Sequence, residues 1–206
     1  MRGKEPGDFD GVMVRTTLAL AKKCAVRAQF IEAPSWSRAY KMAVDGVVDA
    51  LIPTSKSLER QALFYYPASP QYVLEISVFS AAARNEPIYS GLDMLAGKRI
   101  GKLDNALIEE TFDTFAKAGH LQLSERATVR RLFQGLLRGR FDYVIGDTLS
   151  GNYYAEQLGA GDKIIALEPP IGRSSEYLAF SRKSHLMKAP LTARAKCLLG
   201  TSLDED

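Results

Sequence analysis

Apolar side chains recur along the chain at two spacings, every three to four residues in some stretches and every second residue in others. The two kinds of stretch alternate. Val12 to Val26 carries Val14, Leu18 and Ala21 at helical spacing, with Leu20 beside them. Ala25 to Ile31 alternates through Val26, Ala28 and Phe30 and predicts a short strand. Pro34-Ser35 opens a second helix, with Ser35 as its N-cap and Gly46 as its stop. Val47 to Ile52 is a compact apolar run ended by Pro53 and predicts a buried strand; Leu58 to Phe64 predicts a short helix. Tyr72 to Ala81 is apolar and rich in β-branched residues, a further strand.

The second half continues the alternation. Lys98 to Gly101 reads as a strand, Ala106 to Ala118 as a helix capped by Asp104 or Asn105, and Thr128 to Leu137 as an amphipathic helix. Phe141 to Ile145, Lys163 to Leu167 and Glu176 to Ser181 read as strands, with a helix at Thr148 to Leu158 and a helical tail after His185. Strands alternating with helices predict an α/β protein with largely parallel sheets.

Composition narrows the function classes. The chain has 206 residues, 46% of them hydrophobic, enough for one large domain or two smaller lobes, each with a core. The net charge of +3 is spread, and the basic spots Lys22-Lys23, Arg130-Arg131 and Arg138 to Arg140 read as solvated helix faces and loop ends. A nucleic-acid partner is not expected from that distribution. Cys24 and Cys197 give no disulfide framework; a buried free thiol is the simple reading of each, and one long-range bridge stays open. His120 and His185 have no Cys or His at ligand spacing, so no metal site is expected. No apolar run of about 18 residues predicts a membrane span. The opening Met1 to Gly7 lacks the apolar segment of a signal peptide.

One set of short segments is more specific. Pro34-Ser35-Trp36-Ser37-Arg38-Ala39 is followed by Asp45-Gly46-Val47-Val48-Asp49-Ala50, then Ser57-Leu58-Glu59-Arg60, then Phe64-Tyr65-Tyr66-Pro67. Further on come Leu92-Asp93-Met94-Leu95-Ala96-Gly97-Lys98-Arg99-Ile100-Gly101 and Gly139-Arg140-Phe141-Asp142-Tyr143-Val144-Ile145-Gly146-Asp147. In order and spacing these resemble the type II periplasmic solute-binding proteins of amino-acid ABC transporters, the family 3 solute-binding proteins. The resemblance covers roughly residues 11 to 185.

That resemblance implies a two-lobed α/β fold with a ligand cleft between lobes. Residues 1–76 and 168–206 would form the first lobe and 77–167 the second, with a hinge that closes over the ligand. It implies a periplasmic, monomeric, non-enzymatic receptor for a small polar ligand, an amino acid or analogue, without cofactor. The receptor would serve an ABC permease or a sensor. Arg60 is the implied partner of a ligand carboxylate, because a guanidinium offers two parallel donors to two oxygens. Asp147, at the end of an apolar strand, is implied for an ammonium group, or it caps the helix beginning at Thr148. Thr54 and Ser55 would line the same cleft or serve as turn residues, and Trp36 would form a cleft wall or pack in the core. Arg38 reads as a solvated helix residue before a ligand contact.

Departures accompany the likeness. Asn105-Ala106-Leu107 stands where relatives carry hydroxyl residues at a helix start; backbone N–H groups of Asn105 and Ala106 would then hold the ligand anion, against the nearby Asp104. No strand is found between Met1 and Asp10, where relatives have the first strand of their first lobe. The alternative from another class is an enzyme on the same fold, of dehydratase or cell-wall lytic type. It needs a carboxyl pair around the scissile bond, and the adjacent Glu109 and Glu110 point in different directions on a helix.

Overall fold

The computed structural model describes residues 9–85 and 87–200. The chain divides into two compact units, Met1–Val73 with Ser175–Asp206, and Leu74–Ser174. It leaves the first unit within one long strand and returns to it within another.

The first unit contains helices α1 (Val12–Lys23) and α2 (Trp36–Val44), strand β1 (Ala50–Ser55), the one-turn helix α3 (Leu58–Gln61) and strand β2 (Phe64–Tyr65). The end of strand β8 (Gly172–Ser181) and helix α7 (Ala193–Leu199) complete it. Strands β1 and β2 both pair antiparallel with β8. Ser35 caps α2 by accepting from the Arg38 N–H, as the sequence predicts. Two apolar clusters fill the unit. One gathers α2, β1 and β2 around Ala43, Leu51, Phe64 and Ala179; the other gathers α1, β8 and α7 around Leu178, Phe180, Leu198 and Leu199.

Four features of this unit differ from expectation. First, Ala25 to Ile31 is not a strand: Ala25 takes a left-handed φ of 52°, and the segment carries no ladder. Its alternating burial is real, but side-chain alternation without paired backbone does not make a strand. Second, β1 begins three residues later than Val47 and runs through Pro53, where the register with β8 shifts between Leu51 and Thr54. A bulge is where a strand tolerates proline. Third, Cys24 and Cys197 are not free thiols; they form a disulfide with a Cα–Cα separation of 5.6 Å. The end of α1 and the middle of α7 pack on the same apolar cluster, which brings together two residues 173 positions apart. Fourth, β1 and β2 pair with β8 antiparallel, where a largely parallel sheet is expected. The N-terminal strand sought between Met1 and Asp10 falls, for residues 1–8, outside the described residues.

The second unit holds most of strand β3 (Tyr72–Ala81), then β4 (Arg99–Leu103), helix α4 (Glu110–Lys117) and β5 (Gln122–Arg126). Helix α5 (Val129–Leu137), β6 (Tyr143–Asp147), α6 (Thr148–Gln157) and β7 (Ile164–Ala166) come next. Strands β5, β4 and β6 run parallel, while β3 pairs antiparallel with both β6 and β7. Alternate residues of the strands point to opposite faces, as the pleat requires. Ile76, Val78, Ile100, Tyr143 and Ile145 face one core with Phe112 of α4; Phe79 and Val144 face another with Leu132, Phe133 and Leu136 of α5 and Ala155 of α6. Gly151 lets α6 close onto the sheet, since a Cβ there would clash with the Phe79 ring.

Helix α4 starts at Glu110, four residues after the predicted start. Asn105 adopts a left-handed φ of 56°, and the Lys102 ammonium donates to the Ala106 carbonyl at 2.8 Å. Asp113 accepts from the Ile108 N–H at 3.1 Å. These bonds hold 104–108 as an ordered loop, so that Glu109 becomes the cap and Glu110 the first helical residue. Strand β5, with the polar run Gln-Leu-Ser-Glu-Arg, lacks an apolar alternation to reveal it, and β2, at two residues, is too short to show a period.

Candidate functional site

The residues singled out in the first unit converge. Thr54 and Ser55 end β1, and Ser57 caps α3 by accepting from the Arg60 N–H. That cap turns the Arg60 side chain back along the strand. Its Nη1 donates to Ser55 Oγ at 2.8 Å, to the Ser55 carbonyl at 3.1 Å and to Thr54 Oγ1 at 3.3 Å. These acceptors fix the direction of the guanidinium fork.

Aromatic rings enclose the same group. The Arg60 guanidinium carbon lies 4.9 Å from the Trp36 ring centroid and 5.6 Å from that of Tyr40. Trp36 and Tyr40 are four residues apart on α2 and stack at 5.1 Å, and Trp36 Nε1 donates to the Pro53 carbonyl at 3.3 Å. Trp36 therefore packs on the first-unit core and also faces the arginine. Tyr66 donates its hydroxyl to the Ser55 carbonyl at 3.2 Å and meets Tyr177 edge to face. Burial pushes the Tyr66 pKa up, although a bond with Thr54 and the Arg60 charge act in the opposite direction. Arg60 is 6% exposed and Thr54 1%. A cation held among rings at low exposure is a strong anchor for an anionic oxygen.

Sequence reasoning misses Tyr40, Tyr66 and Tyr177 as members of this cluster. The four-residue spacing of Trp36 and Tyr40 and the alternation of Phe64 and Tyr66 are the available signals. Arg38 is exposed.

The second-unit candidates are arranged differently. Asp147 ends β6 and caps α6, accepting from the Ser150 N–H at 2.8 Å and the Leu149 N–H at 3.3 Å. The adjacent Thr148 hydroxyl pairs with Ser77 at 2.7 Å. Strands β4 and β6 are parallel neighbours, so Asp147 and the loop carrying Asn105 and Ala106 both leave the C-terminal edge of the sheet, where ligands of open α/β sheets sit. Asn105 is exposed, while Ala106 is half-buried, packs against the core and gives its carbonyl to Lys102. Neither lies at a helix N-terminus, contrary to expectation, because α4 begins later.

The N-terminus of α4 is capped by its own side chain. Glu109 accepts from the N–H groups of Thr111 and Phe112 at 3.0 and 3.1 Å and from the Thr111 hydroxyl at 2.9 Å. Burial raises the Glu109 pKa, but those bonds outweigh it and the carboxyl is held below its usual range. Glu109 and Thr111 also line an open cavity of about 460 Å³ with Tyr89, Leu92, Ile171 and Arg173. None of the seven predicted site residues lines that cavity.

No protein-family model matches the chain, and no curated protein matches it in sequence. Solved structures do match. A histidine kinase sensor domain with similarity to periplasmic binding proteins superimposes with a TM-score of 0.75 at 20% identity, over 91% of this chain and 78% of that one. The GluR0 ligand-binding core from Nostoc punctiforme, in complex with L-glutamate, gives 0.69 at 19% identity, over 93% and 84%. The amino-acid ABC transporter substrate-binding protein AbpA from Streptococcus pneumoniae, bound to L-arginine, gives 0.71 at 19% identity, over 93% and 77%. The chain has the two-lobed periplasmic-binding-protein-like fold.

Proposed function

We propose that this chain is an extracytoplasmic solute-binding protein that captures a small carboxylate-bearing ligand, an amino acid or close analogue, on the Arg60 cluster. The observation that carries the reading is the Arg60 guanidinium, oriented by Thr54 and Ser55 and faced by Trp36 and Tyr40. Such a group is built to meet two oxygens of one carboxylate, and Asp147 supplies an anionic partner for an ammonium group. Structures of this fold solved with L-glutamate and L-arginine support the amino-acid class. The Cys24–Cys197 disulfide supports an oxidising compartment outside the cytoplasm. No helix among the described residues is long and apolar enough to cross a membrane. Binding without covalent chemistry needs no catalytic group, and the similar structures are receptors and binding proteins.

The test is a thermal-shift screen of the purified chain against amino acids, dicarboxylates, polyamines and small sugars. A ligand that binds only the folded state raises Tm by mass action. A rise confined to one amino-acid class and abolished in Arg60→Ala is expected. A rise with sugars or polyamines that Arg60→Ala leaves intact would overturn the assignment.

After capture, delivery to an ABC permease is the first reading and signalling is the second. The sensor domain among the similar structures favours the latter. Uptake of labelled ligand by cells lacking the chain separates them: lost uptake supports transport, and unchanged uptake with an altered ligand response supports sensing.

A further inference from the structure

Helices α5 and α6 pack side by side on one face of the second unit's sheet, burying Leu132, Phe133, Leu136 and Ala155 beneath them. Their outward sides carry a combination the ligand site does not use. Arg130, Arg131 and Arg138 recur along the exposed side of α5 and its C-cap, with Arg140 in the next turn. Among the described residues no hydrogen bond or ion pair engages the guanidinium group of any of the four; Arg131 is bonded only through its backbone N–H, to the Thr128 cap. This differs from the same unit's Arg99, which is bound bidentately by Asp142, and from Arg84, within 3.5 Å of that carboxylate. On α6, Leu149 is 59% exposed, and Tyr153, one turn on, is 42% exposed with its ring 5.4 Å from that of Tyr154.

We propose that the α5–α6 face is a docking surface for anionic phospholipid headgroups. Guanidinium groups without carboxylate partners meet phosphates as paired donors, and basic residues near an anionic membrane add their attractions. Tyrosine rings with polar tips and an exposed leucine are the side chains that sit at the headgroup level. A second copy of the chain fits worse, because a two-fold contact would set these arginines against their own equivalents. An acidic polypeptide accounts for the arginines but gives Leu149 and Tyr153 no role. The surface lies apart from the proposed carboxylate anchor, since no residue of the Arg60 cluster lies on these helices; Asp147 meets α6 only at its N-terminal cap.

The full chain is sedimented with phosphatidylcholine vesicles, with and without phosphatidylglycerol. It is expected to sediment with the anionic vesicles only, and to be released by salt. The Arg130→Glu, Arg131→Glu, Arg138→Glu variant should bind roughly a hundredfold more weakly, and Leu149→Ser with Tyr153→Ser should weaken binding further at low salt. Arg60→Ala should sediment as the unsubstituted chain does. All the substituted positions on these helices are exposed, and circular dichroism checks that the variants fold. No sedimentation with anionic vesicles, equal binding to neutral ones, or undiminished binding by the charge-reversed variant would overturn the proposal. So would capture of a poly-glutamate peptide in the absence of vesicle binding.

Discussion

Replacing Arg60 by alanine removes the one group whose geometry defines the proposed function. It carries two separable costs. The first falls on binding. Hydrogen bonds to charged groups contribute about 1.5–3 kcal/mol, and removing one side of a desolvated charge pair costs about 2–5 kcal/mol. Arg60 is 6% exposed and faces two rings, so a carboxylate bound to it as proposed would form a desolvated pair. A loss of at least about 2 kcal/mol, roughly thirtyfold in Kd, is expected. The second cost falls on folding. Thr54 Oγ1 and Ser55 Oγ lose their donor at low exposure, worth about 1–3 kcal/mol, while the Ser55 carbonyl keeps the Tyr66 hydroxyl. Titration calorimetry with the screened ligand reads the first, and urea unfolding of the free protein reads the second. Arg60→Lys separates charge from shape: it keeps the cation but loses the fork and much of the stacking, and should fall between the two. A Kd within a factor of about two of the unsubstituted chain, in a folded Arg60→Ala protein, would refute the carboxylate assignment.

Asp147→Asn should weaken amine-bearing ligands more than amine-free analogues in the same titration; equal losses would leave the residue a helix cap only. Asp147→Ala should also lower stability by about 1 kcal/mol, because two N–H groups of α6 lose their acceptor. Reduction of the Cys24–Cys197 bridge, or the double serine variant, should cost about 2–5 kcal/mol in denaturant unfolding, since it releases a closure of 173 residues; an unchanged midpoint would refute this. The Arg99 side chain, by hydrogen bonding, lowers the Asp142 pKa from 3.8 to about 2. A depressed folded pKa gives stability that is present above pH 4 and lost as pH falls towards 2, here about 1–2 kcal/mol after solvent screening. Asp142→Asn should remove that part of the acid dependence, and an unaltered acid profile would contradict it.

Local features are legible in the sequence and long-range ones are not. The caps Ser35 and Asp147 and the strand Tyr72–Ala81 can be read because each depends on residues beside it in sequence. The grouping of Trp36, Thr54, Ser55 and Arg60 is legible only through the order of the segments that carry them. Three departures have a common cause. The start of α4 is misplaced by sequence reasoning because Asp104 and Asn105 are good caps in isolation. The decisive contact comes from Lys102, which salt-bridges Glu125 of β5 at 2.6 Å while holding the Ala106 carbonyl. Strand β5 is polar and exists by pairing with β4. The disulfide depends on where α1 and α7 pack, which spacing along the chain does not encode.

The shifted start of α4 also bears on which residues select the ligand's charge. A helix N-terminus offers free N–H groups and a positive dipole end, and an anion there needs no other partner. In this chain the carboxylate of Glu109 already occupies that position, bound by two N–H groups and the Thr111 hydroxyl. A ligand carboxylate approaching α4 would have to displace an internal one held by three hydrogen bonds. On the proposed reading, recognition of the ligand anion rests on Arg60, and Asp147, which caps α6, is the carboxylate assigned to an amine. That division of charge fits a ligand carrying both an acid and an amine better than a dianion. The monoamine amino acids should accordingly outcompete their deaminated acids in the screen.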